Sequence, residues 1–377
     1  MTPGSAIYLD ANATTPLHRE VMAAMMPALA DFFANPSSVH KPGQDARALV
    51  DLAREQCAAA LGCDARELIF TSGGTESDAL ALRGLSPRKI VTTVVEHPAV
   101  LDTCARLELE GVEIIRVPVL PSGALDLDAL ERALPGASLC SVMAANNETG
   151  VVFPLAQVAR LCRAAGVPLH TDAVQAAGKL ALPMDDVDLL SCAGHKIEGP
   201  KGIGLLRVRR SLRLSPLLTG GRQEKGRRGG TENVAGIVGL GAALARAVHA
   251  LPEAGPRLRS LRDGLERAVR SIPGAHVAGA SVERVCNTLN VAFEGCDGET
   301  LLAALDLEGI AVSTGSACSS GSLEPSPVLL AMGYPEALAH GAIRFSLWSG
   351  NTSSEIDRVC AVLPRIVERA RGRPSGS

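Results

Sequence analysis

No charge of one sign dominates this chain. Its 37 lysines and arginines nearly balance 40 aspartates and glutamates, for a net charge of −3. There is no overall basic field to hold a nucleic acid, so direct nucleic-acid binding is not expected. No Cys-x-x-Cys pair occurs among the ten cysteines, and their spacings form no short framework. That argues against a disulfide scaffold, a zinc site or a ligated iron–sulfur cluster; no metal is expected, and the pattern reads as reduced and cytoplasmic. The first residues lack a basic stretch followed by an apolar core, so no secretory signal is read. The most apolar long segment, Val234 to Leu251, is broken by Arg246 and His249 and is rich in glycine and alanine. It is expected to pack against protein, with no membrane as partner.

What is present begins with Ser191-Cys-Ala-Gly-His195-Lys196-Ile-Glu-Gly-Pro-Lys-Gly, a glycine-flanked turn between two apolar runs, 185–190 and 203–208, that read as strands. An amine held at a strand end loses part of its solvation and can condense with an aldehyde cofactor; alone, Lys196 also reads as a turn lysine in solvent. Upstream, the apolar run Val167-Pro-Leu-His-Thr171 ends in Asp172. In an open α/β sheet that carboxylate points into the crevice beyond the strand ends, though alone it could cap a helix. Further upstream, Glu67-Leu-Ile-Phe-Thr71-Ser-Gly-Gly74-Thr75 supplies a strand, a Gly-Gly turn and a helix start, where unpaired N–H groups near Gly74 and Thr75 can bind a phosphate. Lysine, carboxylate and phosphate cradle are what pyridoxal phosphate requires.

Apolar strands and helices alternate through the first two thirds of the chain: strands at 68–71, 89–94, 112–117, 138–144 and 167–171, and helices at 75–83, 98–110, 126–134 and 154–165, after helices at 17–33 and 44–61. The alternation predicts an α/β fold with a mostly parallel sheet and helices on both faces. Leu251-Pro-Glu-Ala-Gly-Pro256 is read as the boundary to a smaller α+β C-terminal domain. The expected division is a large cofactor-binding domain, 16–250, and a small domain formed by 1–15 and 251–377.

The chain resembles the cysteine desulfurases of the NifS and IscS kind, class-V aminotransferases among the fold-type I PLP-dependent transferases. The resemblance rests on Tyr8-Leu-Asp-Ala-Asn-Ala-Thr-Thr-Pro16, Asn35-Pro-Ser-Ser-Val-His40, Thr71-Ser-Gly-Gly-Thr-Glu76, Glu96-His97-Pro, Asn146-Asn147-Glu-Thr-Gly150, Asp172-Ala-Val-Gln175, Gly194-His-Lys-Ile-Glu-Gly-Pro-Lys-Gly202, Arg227-Arg-Gly-Gly-Thr231 and Ser313-Thr-Gly-Ser-Ala-Cys318-Ser-Ser-Gly-Ser322. These run in order along nearly the whole chain.

The resemblance implies a pyridoxal 5'-phosphate enzyme that converts L-cysteine to L-alanine and leaves a persulfide on Cys318. The sulfur then passes to an acceptor protein or small thiol, for iron–sulfur cluster assembly, tRNA thiolation or another thio-cofactor. Lys196 is expected to hold the cofactor and move the substrate's Cα proton, and Asp172 to keep the ring nitrogen protonated. His97, after a strand and before a proline, is expected to stack on the ring and relay protons, or else to cap the next helix. Asn147 offers an amide to the cofactor's phenolic oxygen or the substrate carboxylate, with Gln175 the family's contact on the other side. His195 is implied at the phosphate. Thr231 is implied to reach a partner's phosphate, which makes the enzyme a homodimer. Arg344 presents a guanidinium fork suited to the amino-acid carboxylate. Cys318 sits in a serine- and glycine-rich stretch expected to be a mobile surface loop that carries sulfur outward. One departure is Ala193, where the family commonly has a phosphate-binding serine; Ser191 or Thr75 are the candidates to compensate. A selenocysteine lyase, a PLP aminotransferase and an inactive sulfur scaffold are the alternative readings.

Overall fold

The computed structural model describes residues 6–314 and 324–372. Its first half comprises β1 (Ile7–Tyr8), α1 (Arg19–Ala30), α2 (Lys41–Leu61), β2 (Leu68–Thr71), α3 (Gly74–Gly84), β3 (Lys89–Thr93), α4 (Pro98–Leu109), β4 (Glu113–Val117), α5 (Leu127–Ala133), β5 (Leu139–Ser141) and α6 (Leu155–Ala165). There follow β6 (Leu169–Asp172), β7 (Leu189–Ala193), β8 (Gly204–Val208), α7 (Val234–Arg270), β9 (Ala275–Val277), β10 (Thr288–Phe293), α8 (Gly298–Leu307) and β11 (Ile310–Ala311). The chain closes with α9 (Pro327–Ala331), α10 (Glu336–His340), β12 (Ala342–Ser346) and α11 (Ser353–Arg371).

Seven strands form the large sheet in the order β2-β8-β7-β6-β5-β3-β4. Only β8 runs against its neighbours; the pairs β7–β6, β6–β5, β5–β3 and β3–β4 are parallel. The central strands are buried on both faces, which is why they read as unbroken apolar runs. Side-chain alternation splits them between two layers: Ile69, Leu189 and Leu206 join α3 and α4 on one face, while Phe70, Leu190 and Leu205 join the core that includes α2 and the first half of α7 on the other. The strand expected at 185–190 lies at 189–193, because the acidic residues before Leu189 form turns and only Leu189–Ala193 presents a fully buried face.

A separate core gathers Ile7 and Leu9 with Leu265, Val269, Phe293, Leu301, Phe345, Val359 and Val367. Around it β12, β10 and β9 form an antiparallel sheet, and β1 pairs in parallel with β11. The break expected at 251–256 is not a linker. Helix α7 runs through Pro252 and Pro256 for 37 residues, because its Ala/Gly-rich first half packs on α1 and α2 and its second half on α11. This tertiary burial outweighs the two N–H groups the prolines remove. The same helix is long and apolar enough to cross a membrane by length and composition, yet Ala235, Leu240, Ala243 and Leu244 are core residues.

Each helix-interior proline costs about 3 kcal/mol, less the ~0.4–1 kcal/mol it saves by stiffening the unfolded chain. Replacing both, Pro252→Ala with Pro256→Ala, is therefore expected to raise stability by about 4 kcal/mol or more in urea and thermal unfolding. A flexible linker at 251–256 would show no such gain.

Candidate active site

The parallel strands deliver their carboxyl ends to one edge of the sheet, and the loops leaving them enclose a cavity of about 270 Å³. Strand β7 is followed by a single helical turn, Gly194–Lys196, which carries Lys196 over this edge. Its Nζ donates to the main-chain oxygens of Asn12 (2.6 Å) and Ala13 (2.8 Å), so the N-terminal segment forms one wall. Asp172, the last residue of β6, lines the cavity, and its Oδ1 accepts the Val174 N–H at 2.8 Å. Burial pushes its carboxyl above the usual range; that N–H and the neighbouring His97 and Lys196 oppose the rise.

His97 takes the capping position that is the alternative reading of it, and it also stands at the cavity. It caps α4 with Nδ1 accepting the Ala99 N–H at 3.1 Å. A ring nitrogen that accepts cannot carry the proton, so neutral His97 holds its proton on Nε2. Burial lowers its pKa and favours that neutral form. His195 also lines the cavity, with Nδ1 3.2 Å from Thr14 Oγ1, and burial brings its pKa down to about 4.

At the opposite end, α3 begins without a side-chain cap among the described residues, leaving its first-turn N–H groups toward Gly74 and Thr75. Gly74 is required by close approach: a Cβ there would lie 2.8 Å from Val174 Cγ2. Ala193 lines the cavity as expected, but Ser191 does not replace the missing hydroxyl. It sits two residues deeper, fully buried, with Oγ 3.0 Å from His170 Nε2. Thr75 does line the cavity.

Asn147, Gln175 and Arg344 also line the cavity. Arg344 reaches in from β12, its Nη2 donating to Asp10 Oδ1 (2.9 Å) and its Nη1 to the Asn147 oxygen (3.1 Å). Its Nε is buried without a hydrogen-bond partner among the described residues. Asn146 is structural: its amide bonds Val95, Glu148 and Thr149. Thr231 stands exposed on a surface loop outside this cavity, and Cys318 lies outside the described residues.

Among the lining residues given no role from sequence are Asn12, Ala13 and Asp78. Asn12 and Ala13 lay within a quoted motif, but nothing local shows that an N-terminal segment returns to a site some 180 residues on. Asp78 had a usable signal, since it follows Thr75 by three residues and so shares its helix face. It is buried, its Oδ1 has no hydrogen-bond partner among the described residues, and burial together with Asp172 raises its pKa.

A lysine and a buried carboxylate at neighbouring strand ends, facing an uncapped helix start, mark an enzyme of the aminotransferase kind. Residues 7–359 match the aminotransferase class-V family, and the chain belongs to it. Within that family its relatives are cysteine desulfurases. The cysteine desulfurase of Trichormus azollae is 49% identical over 97% of this chain and 94% of its own length. A NifS-like protein of known structure superposes with a TM-score of 0.90 at 36% identity, covering 97% of this chain and all of that one. A structure of SspA in complex with cysteine aligns over 90% of this chain and 98% of its own with a TM-score of 0.81 at 35% identity.

Beside His97, Glu96 is buried with Oε1 accepting from Thr93 Oγ1 and Met143 N–H, both at 2.9 Å, and burial raises its pKa to about 8. The folded chain therefore keeps a proton there that the unfolded chain loses near pH ~4.3. The stability this proton contributes is complete below that pH and is lost as pH rises toward 8. Glu96→Gln keeps the same acceptor without the titration. Its unfolding free energy, measured across that window, should gain on wild type as pH increases; parallel curves would show that Glu96 ionises normally.

Proposed function

We propose that this chain is a cytoplasmic, homodimeric pyridoxal-phosphate-dependent cysteine desulfurase. The observation that carries the proposal is the meeting of Lys196, Asp172, His97 and the open start of α3 around one cavity. The residues fit the cofactor. The cradle at Gly74 admits no side chain, the helix start offers uncompensated N–H groups to a phosphate, and Asp172 is a buried carboxylate suited to a cationic ring nitrogen. Lys196 would hold the aldehyde carbon, Thr75 and His195 would reach the phosphate, and Asn147 and Gln175 the phenolic oxygen. Once bound, the cofactor supplies an electron sink for bonds broken at the substrate's α carbon.

The chain's own groups do the rest. Arg344 binds the carboxylate of L-cysteine, and Asn147 helps orient it. Lys196 Nζ moves the Cα proton, and His97 Nε2 exchanges a proton at the reacting end of the substrate. The Cys318 thiolate attacks the substrate sulfur: the Cβ–S bond breaks, a sulfur–sulfur bond forms, and L-alanine leaves after taking up a proton. In sum, L-cysteine and a thiol become L-alanine and a persulfide, with no external oxidant. A protein or small-thiol acceptor then takes the outer sulfur, for iron–sulfur cluster assembly or thiolation. In this reading residues 16–250 form the cofactor lobe, while 1–15 and 251–377 form the lobe that brings Arg344 and Cys318. Thr231 serves the site of the second copy. The cysteine bound in the SspA structure supports the choice of substrate.

The test is release of alanine and sulfide from L-cysteine with a reducing thiol present. Wild type should be yellow and active, Lys196→Ala colourless and inactive, and Cys318→Ala yellow but at least a hundredfold slower, about 2.7 kcal/mol in the barrier. Full activity in Cys318→Ala would overturn the persulfide step.

A further inference from the structure

Behind the cavity wall a second lysine faces Gln175. The turn that follows β6 carries Gln175 and, four residues on, Lys179, whose Nζ donates to Gln175 Oε1 at 2.9 Å. Gly178 makes this possible. It adopts φ +70°, and a Cβ there would fall 2.6 Å from Ala247 Cβ on α7, so the turn seats against the helix and folds Lys179 back beneath Gln175. On its other side, Gln175 Nε2 donates to the Asn12 carbonyl at 2.9 Å, the same oxygen that receives Lys196 Nζ.

These two partners define the amide. An ammonium only donates and a carbonyl only accepts, so Oε1 must face Lys179 and the NH₂ must face Asn12. One N–H of that group is used by Asn12, and the second remains for the cavity that Gln175 lines. We infer that Lys179 is a positioning residue: it locks Gln175 with its donor toward the cavity, so that the site selects a ligand carrying an oxyanion at that position. The inference deepens the pyridoxal-phosphate reading and rests on it, since the phenolic oxygen of that cofactor is such an acceptor. Burial of the Lys179 amine brings its pKa down to about 8, so it remains mostly charged at neutral pH. Without it, only the Asn12 carbonyl would hold the amide's orientation, and the buried Gln175 Oε1 would lose its donor.

The experiment is pyridoxal phosphate binding to the apoprotein, followed by absorbance, in wild type, Lys179→Met, Gln175→Ala and the double variant. Circular dichroism checks that each is folded; Lys179→Ala repeats the measurement if the methionine variant is not. Lys179→Met should weaken binding about tenfold, as should Gln175→Ala, and the double variant should bind no more weakly than Gln175→Ala alone. Wild-type affinity in the folded Lys179 variant would overturn the inference, as would an equal further loss in the Gln175→Ala background, since Lys179 would then act other than through the amide. A wild-type apoprotein that fails to bind pyridoxal phosphate would instead remove the cofactor reading and the inference with it.

Discussion

Every polar group of Asn12 is bonded, and the site depends on that one residue being in place. Its N–H donates to Ser346 Oγ, and its Nδ2 to the Asn147 carbonyl and Thr288 Oγ1. Its Oδ1 accepts from Asn287, and its main-chain oxygen from both Gln175 and Lys196. Strands β10 and β12, the loop after β5 and the turns after β6 and β7 thus converge on one buried residue from the start of the sequence. Buried groups deprived of a partner cost about 1–3 kcal/mol each, so displacing this residue exposes several such penalties at once. The N-terminal segment is a structural member of the cavity, although it contributes almost nothing to the large sheet.

The cavity is also held by a deliberate scarcity of charge. Asp172, Asp78 and Glu96 are all buried, and burial raises all three carboxyls. Of these, Asp172 is the one drawn back toward ionisation by His97 and Lys196. Beneath them His170 is fully buried between the hydroxyls of Ser141 and Ser191, 3.6 Å from Asp78, and burial brings its pKa down to about 3. The surroundings therefore disfavour charge on Asp78, Glu96 and His170, while at Asp172 the neighbouring His97 and Lys196 oppose that effect.

Much of this was legible in the sequence because the large sheet is built from local signals. Each buried strand is a short apolar run, each helix start carries its own marker, and the residues at strand ends fall at one edge by topology alone. Lys196, Asp172, His97, Gly74 and Asn147 were found in this way. Asn12 and Lys179 were not assigned, because their roles exist only through contacts with segments distant in sequence or across a turn whose shape depends on Gly178 meeting α7. The sequence suggested a break in helix at 251–256, and α7 runs through it for a related reason: proline states a local preference, and packing against other helices and a second core overrules it.

Helix α7 links the two cores as a single beam. At 1.5 Å per residue its 37 residues span roughly 55 Å. Pro252 and Pro256 are four apart and so share one face, and the two ladder donors they remove lie along it. Both missing donors therefore lie on one side of the beam, along the stretch where it passes from the core around Ile237 and Leu244 to the core around Leu265 and Val269.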